Sequence, residues 1–240
     1  MIAFLALALA GPAHAGVFHV VPTILYLGAK NQSALFTVNN QGTEDLRFQV
    51  TSFAWDEPEM GEPGLDPTTD LVVFPTLFVV PAGTSQQIRV GTTKTARTAE
   101  QSYRIFVEEL PPLSEEGTLG VRMLTKMGVP VFLEPKSPVV SGRIADATFV
   151  AGKLSLRVVN EGTVHFKIQD VQAAGLDAAG LPLFEGKQSG WYVLPGGAKR
   201  YELAVPSEKC KDIAKFDLKA STDQGVWTLT LPADPGQCLP

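Results

Sequence analysis

The feature that most restricts what this chain can fold into is an internal duplication of strand and turn. Phe36-Thr-Val-Asn-Asn-Gln-Gly-Thr43 is matched by Leu156-Arg-Val-Val-Asn-Glu-Gly-Thr163, and an alternating segment follows each. A second match comes in the same order. Val79-Val-Pro-Ala-Gly83 leads into residues 86–90, and Val193-Leu-Pro-Gly-Gly197 leads into residues 200–205. Spacings of 120 and 114 residues are too long for a solenoid and suit two similar domains. Short segments rich in β-branched and aromatic residues predict strands at 33–38, 47–55, 71–74, 86–90 and 103–110. Asn39-Asn-Gln-Gly42, Pro81-Ala-Gly83 and Pro111-Pro112 punctuate them. No helical apolar stripe runs beyond about two turns, and residues 209–215 offer one short turn at most. The expected fold class is all-β: two immunoglobulin-like β-sandwich domains in tandem, residues 16–135 and 136–240, meeting near Pro135-Lys-Ser-Pro138.

Residues 1–15 read MIAFLALALAGPAHA, an apolar run closed by Ala13-His14-Ala15, the small-x-small pattern of an export cleavage site. The run falls well short of the ~20 residues that cross a membrane, and no Lys or Arg precedes Lys30. An export signal over 1–15 is expected, with the mature chain starting at Gly16 in an oxidising compartment. There the two cysteines, Cys210 and Cys238, are expected to form a disulfide; two buried free thiols are the other reading.

Chemistry is conspicuous by its lack of parts. The chain has 20 Lys+Arg against 25 Asp+Glu, a net charge of −5 with no basic block, which argues against a nucleic-acid partner. Of three histidines, His14 belongs to the signal, while His19 and His165 sit in strand-like contexts that suit structural roles. No nucleophile elbow, phosphate loop, zinc-protease or dinucleotide motif occurs. No enzyme activity, cofactor, metal or small-molecule substrate is therefore expected. Residues 56–70 hold six carboxylates and no base, and Pro58, Pro63 and Pro67 break any calcium-loop spacing, so a solvated loop is expected. Function then has to come from surfaces.

One segment offers such a surface. Residues 121–133 read VRMLTKMGVPVFL, with Val121, Met123, Thr125, Met127, Val129, Val131 and Leu133 on one face. Thirteen residues of alternation is long against a usual strand of about 5–6, and Pro130 confines it to an edge or strand end. Two readings are open. The apolar face packs on its own sandwich, or the strand lends its edge and side chains to another protein.

The sequence resembles the periplasmic pilus chaperones of the PapD type, two-domain assistants of the chaperone–usher pathway. The resemblance is carried by Val21-Pro-Thr23, Asn39-Asn-Gln-Gly42, Phe74-Pro75, Pro81-Ala-Gly83 with Ile88-Arg-Val90, Tyr103-Arg-Ile-Phe-Val-Glu-Glu-Leu-Pro-Pro112, and the long strand ending Val129-Pro-Val-Phe132. It implies a boomerang arrangement of the two domains, a periplasmic location, and pilus or fimbrial subunits and an outer-membrane usher as partners. It also implies that the long strand completes a subunit lacking its last strand, with Val121, Met123, Thr125, Met127 and Val129 as plugs and residues 111–119 as the preceding loop. Self-association through the same edge is a further expectation when no subunit is bound. Familiar members hold the subunit's C-terminal carboxylate with an Arg and a Lys at places that here carry Ile24 and Pro130. The Tyr-Arg and Pro-Val-Phe elements are similar to the archaic branch, which makes Arg104 the leading anchor candidate, with Arg89 and Lys126 behind it. Arg89 has a structural alternative, pairing with Glu108 or Glu109. The family's inter-domain ion pair would fall on Glu109 and Asp223, although Glu134 stands where its usual arginine would be. The alternative function is a structural or adhesive surface protein with two immunoglobulin-like domains.

Overall fold

A computed structural model describes residues 17–95, 98–113 and 122–238, and the expected export signal lies outside them. Two sheets form the first sandwich, antiparallel throughout except where β2 runs parallel to β10. One runs β1 (Phe18–Val21), β3 (Ser33–Asn40), β8 (Ser85–Thr92), β6 (Leu71–Phe74). The other runs β2 (Leu25–Leu27), β10 (Lys126–Leu133), β9 (Gln101–Leu110), β4 (Leu46–Asp56), β5 (Gly64–Pro67), with β7 (Leu77–Val80) also paired to β4. Inward residues alternate as a two-sided sheet requires: Phe36, Val38, Phe48, Ile88, Val90, Ile105 and Val107 close one apolar core.

The second sandwich packs β11 (Gly142–Val150), β12 (Lys153–Asn160) and β16 (Ala198–Ala204) on a second sheet. That sheet runs β14 (Pro182–Ser189), β13 (Phe166–Leu176), β17 (Lys215–Thr222), β18 (Val226–Pro232), with β15 (Tyr192–Val193) on the end of β13. Leu154, Leu156, Val158, Phe166, Ile168 and Phe216 lie at its centre. The short helical turn falls at Ser207–Cys210, slightly before the segment expected for it, and Cys210 is disulfide-bonded to Cys238 in the C-terminal 3-10 turn Pro235–Cys238. A bridge closing a loop of this size typically contributes about 2–4 kcal/mol.

The duplication has a physical purpose that the two domains share. Asn40 and Asn160, both buried, each end a strand and each satisfy the turn that follows. The Asn40 amide donates to the carbonyls of Glu44 and Val80, and its oxygen accepts the Gly42 N–H. Asn160 does the same with Val164, Val193 and Gly162. Val80 and Val193 thus occupy equivalent places, so the second sequence match is one residue out of step with the structure.

The domains meet on Trp55 and Phe132 from the first and Tyr192 and Leu194 from the second, with Ile24 packed alongside. His165 is structural, as its context suggested, and it works between the domains. Its ring stacks on Phe132 at 3.6 Å, and Nδ1 lies 2.8 and 3.0 Å from the two Glu100 oxygens. The inter-domain ion pair expected to draw on the Glu109 and Asp223 carboxylates is not formed among the described residues. Buried Glu109 binds the Thr125 N–H and faces Arg122, whereas Asp223 accepts the Lys167 N–H.

The acidic stretch 56–70 also departs from expectation. Strand β5 pairs with the end of β4, and two of the carboxylates reach the second domain. Glu57 binds Lys199 at 2.6 Å, and Glu59 binds Arg157 at 2.8 Å and Arg200 at 3.0 Å. Arginine hydrogen bonding, led by Arg157, holds the Glu59 carboxyl below its ordinary pKa. The Glu59 pairs are partly exposed, so water screens them and their contribution to stability is modest; the Glu57–Lys199 pair is nearly closed to water.

Candidate functional site

Strand β10 is where the first sandwich is left open. It pairs along its whole length with β9, from Lys126 opposite Glu108 to Leu133 opposite Gln101. On its other side β2 pairs only with Val131, Phe132 and Leu133. Among the described residues nothing pairs with that side from Lys126 to Pro130, so its outward N–H and C=O groups are available to another strand.

The long strand expected over 121–133 is regular only from Lys126 to Leu133, with Met123 as an isolated bridge. The cause is Glu109. Its N–H donates to the Thr125 carbonyl at 2.9 Å, but its own carboxylate, not a ladder carbonyl, accepts the Thr125 N–H at 3.3 Å. A side-chain oxygen in that place stops the repeat.

Along the apolar face, Val129, Val131 and Leu133 are sealed in the sandwich core. Met127 is half-buried at its rim, Thr125 is exposed, and Met123 is 65% exposed. One face therefore begins as core and runs off the end of it. Val129 is not accessible as a plug in this state because its own domain already encloses it; Val121 lies outside the described residues.

The opposite face of β10 carries Lys126, Gly128 and Pro130. Gly128 lies under the Phe106 ring and the arm of Arg104, where a Cβ would come within 3.3 and 3.4 Å of them. Arg104 stands directly opposite Pro130 on one side and Phe53 on the other. Its guanidinium lies 3.9 Å above the Trp55 ring. Partial burial pushes its pKa down while the charge of Glu57 pushes it up, and an arginine remains a cation through such shifts. Among the described residues it has no hydrogen-bond or ion-pair partner: a half-buried fork of donors beside an open strand edge.

The other candidate cations do not share that situation. Lys126 is on the same face, four residues or roughly 13 Å along the strand, over Phe106 at 4.6 Å and within 3.5 Å of Glu108. Arg89 lies on the outer face of the opposite sheet, where it donates to Ser33 and meets neither Glu108 nor Glu109. Ile24 and Pro130, where the resemblance would place cations, make apolar contacts or are buried. Trp55 and Glu57, which lie beside Arg104, carried no sequence signal, because their relation to it exists only across paired strands.

The pili and flagellar-assembly chaperone model, PapD N-terminal domain, matches residues 17–138. No curated protein matches the chain. Among solved structures it is similar to the CsuC–CsuE chaperone–tip adhesion subunit complex of Acinetobacter baumannii (17% identity, 90% of this chain and 98% of that one, TM-score 0.61). It is likewise similar to the Salmonella enterica SafA pilin–SafB chaperone complex (18%, 92% and 99%, 0.61). The E. coli chaperone DraB is a third (19%, 93% and 98%, 0.58). At such identities these structures speak for the two-sandwich fold, and the family model speaks for descent. With that match spanning half the sequence, the chain belongs to the pili and flagellar-assembly chaperone family.

Proposed function

We propose that this protein works in the periplasm and captures pilus or fimbrial subunits by adding β10 to their incomplete sandwiches, then delivers them to an outer-membrane usher. The observation that carries the proposal is the apolar face of β10, which leaves its own core at Met127 beside an edge that no other described strand pairs from Lys126 to Pro130. Strand addition would satisfy that edge with main-chain hydrogen bonds, while Met127, Thr125, Met123 and Val121 would enter the subunit's groove. Methionine suits a groove that differs between subunits, because its side chain adapts its shape. Arg104 would take the subunit's terminal carboxylate through two parallel hydrogen bonds. Two similar structures hold a chaperone with a pilus subunit, which supports the same class of partner here. No covalent step is involved; the work is binding free energy.

Co-expression with the pilin-type subunits of its own genome tests the proposal. At least one subunit is expected to co-purify with the chaperone from periplasm as a soluble one-to-one complex, and to be lost to aggregation or proteolysis without it. Recovery of every such subunit in equal, monomeric yield without the chaperone would contradict it.

A further inference from the structure

Arg104 has a rival carboxylate close by, and that carboxylate is already engaged. Glu57 has a side chain only 3% exposed and its charge is felt at Arg104, yet the two do not pair. One Glu57 oxygen accepts Lys199 Nζ at 2.6 Å, and the other accepts the Trp55 indole N–H at 3.0 Å. Lys199 comes from β16 in the second domain, and its ammonium also donates to the Pro58 carbonyl at 2.7 Å. Trp55 is in turn the ring on which Arg104 rests.

A buried carboxylate must find a counter-charge, and losing its partner there is strongly unfavourable. Two cations lie near it: Lys199 in direct contact, and Arg104 on the Trp55 ring whose indole N–H Glu57 accepts. We propose that Lys199 is a positioning residue: it holds Glu57 and, through it, Trp55, so that Arg104 stays unpaired for an incoming carboxylate. The second domain thereby sets the competence of an anchor that lies wholly on the first. This rests on Arg104 being the anchor. Removing the Lys199 charge frees Glu57 to turn to Arg104 and fill the site from within. Removing the Glu57 charge as well leaves nothing to fill it.

The test compares two short synthetic peptides of alternating valine and serine, one ending in a free carboxylate and one in a carboxamide, bound to the full-length protein and followed by calorimetry. Wild type should prefer the carboxylate by about tenfold or more, the range of a charge-assisted hydrogen bond. Lys199→Met should abolish that preference, and Lys199→Met with Glu57→Gln should restore it to within about threefold of wild type. If wild type binds both peptides equally, the anchor reading falls and this inference falls with it. If wild type discriminates and Lys199→Met still does, the anchor stands and the role of Lys199 is wrong. If the double variant stays as impaired as the single one, Lys199 acts through domain packing and the inference is overturned, since a structural loss is not repaired by a second substitution in the same contact.

Discussion

Replacing Met123 and Thr125 together by lysine is expected to abolish subunit capture while leaving the chaperone folded. Both side chains are exposed in the segment just before β10, beyond the edge of the core, so the free protein has little to lose. In the proposed complex the same two side chains enter an apolar groove. Two ammonium groups there would cost several kcal/mol between them, a loss of more than about 100-fold in affinity. Lysine is the sharper choice over glutamate, because Glu109 already holds the Thr125 N–H and a new carboxylate beside it would disturb the free protein. It is also the residue proteins place on edge strands to prevent pairing. Co-purified subunit should fall to background with an unchanged melting temperature. Wild-type recovery would place the binding surface elsewhere.

Arg104→Ala should weaken capture by roughly 10- to 100-fold, the value of a charge-assisted, bidentate contact of about 1.5–3 kcal/mol. Its effect on the free protein should be small: the residue loses its place over Trp55, a contact of about 0.5–1 kcal/mol near solvent. Arg104→Lys should recover only part of the affinity, since an ammonium cannot offer the planar fork. Arg89→Ala supplies the comparison, because Arg89 sits on the opposite sheet with Ser33 as its contact. Binding measured with purified subunit should be unchanged for Arg89→Ala. An equal loss for both arginines would remove Arg104 from the site.

How much of this was legible in the sequence depends on how local the physics is. The Asn-x-Gly turns at Asn40 and Asn160 were readable because an asparagine closing its own turn uses neighbours two and four residues away. The alternation in β9 and β10 was readable for the same reason. Where β10 stops being regular was not, because the Glu109 carboxylate that takes the Thr125 N–H is 16 residues distant. Nor does alternation say where a strand leaves its own core, which is why Val129 looked like a plug and is core. The acidic stretch looked solvated because its counter-charges lie far along the chain: Lys199 is 142 residues from Glu57. Arg104 itself stood out as a charge in an apolar strand, but the Trp55 ring beneath it and the carboxylate kept from it belong to the folded protein.

The central claim is that β10 is the strand lent to the subunit, and amide hydrogen exchange across it tests that claim most directly. In an edge strand alternate N–H groups face away from the single neighbour. In the free chaperone the outward amides between Lys126 and Val129 should exchange fast, while those bonded to β9 exchange slowly. On binding a purified subunit, the outward amides should become protected together with those from Met123 onward. A tightly bound subunit that left these amides exchanging as fast as in the free protein, with protection appearing on another face, would contradict the account.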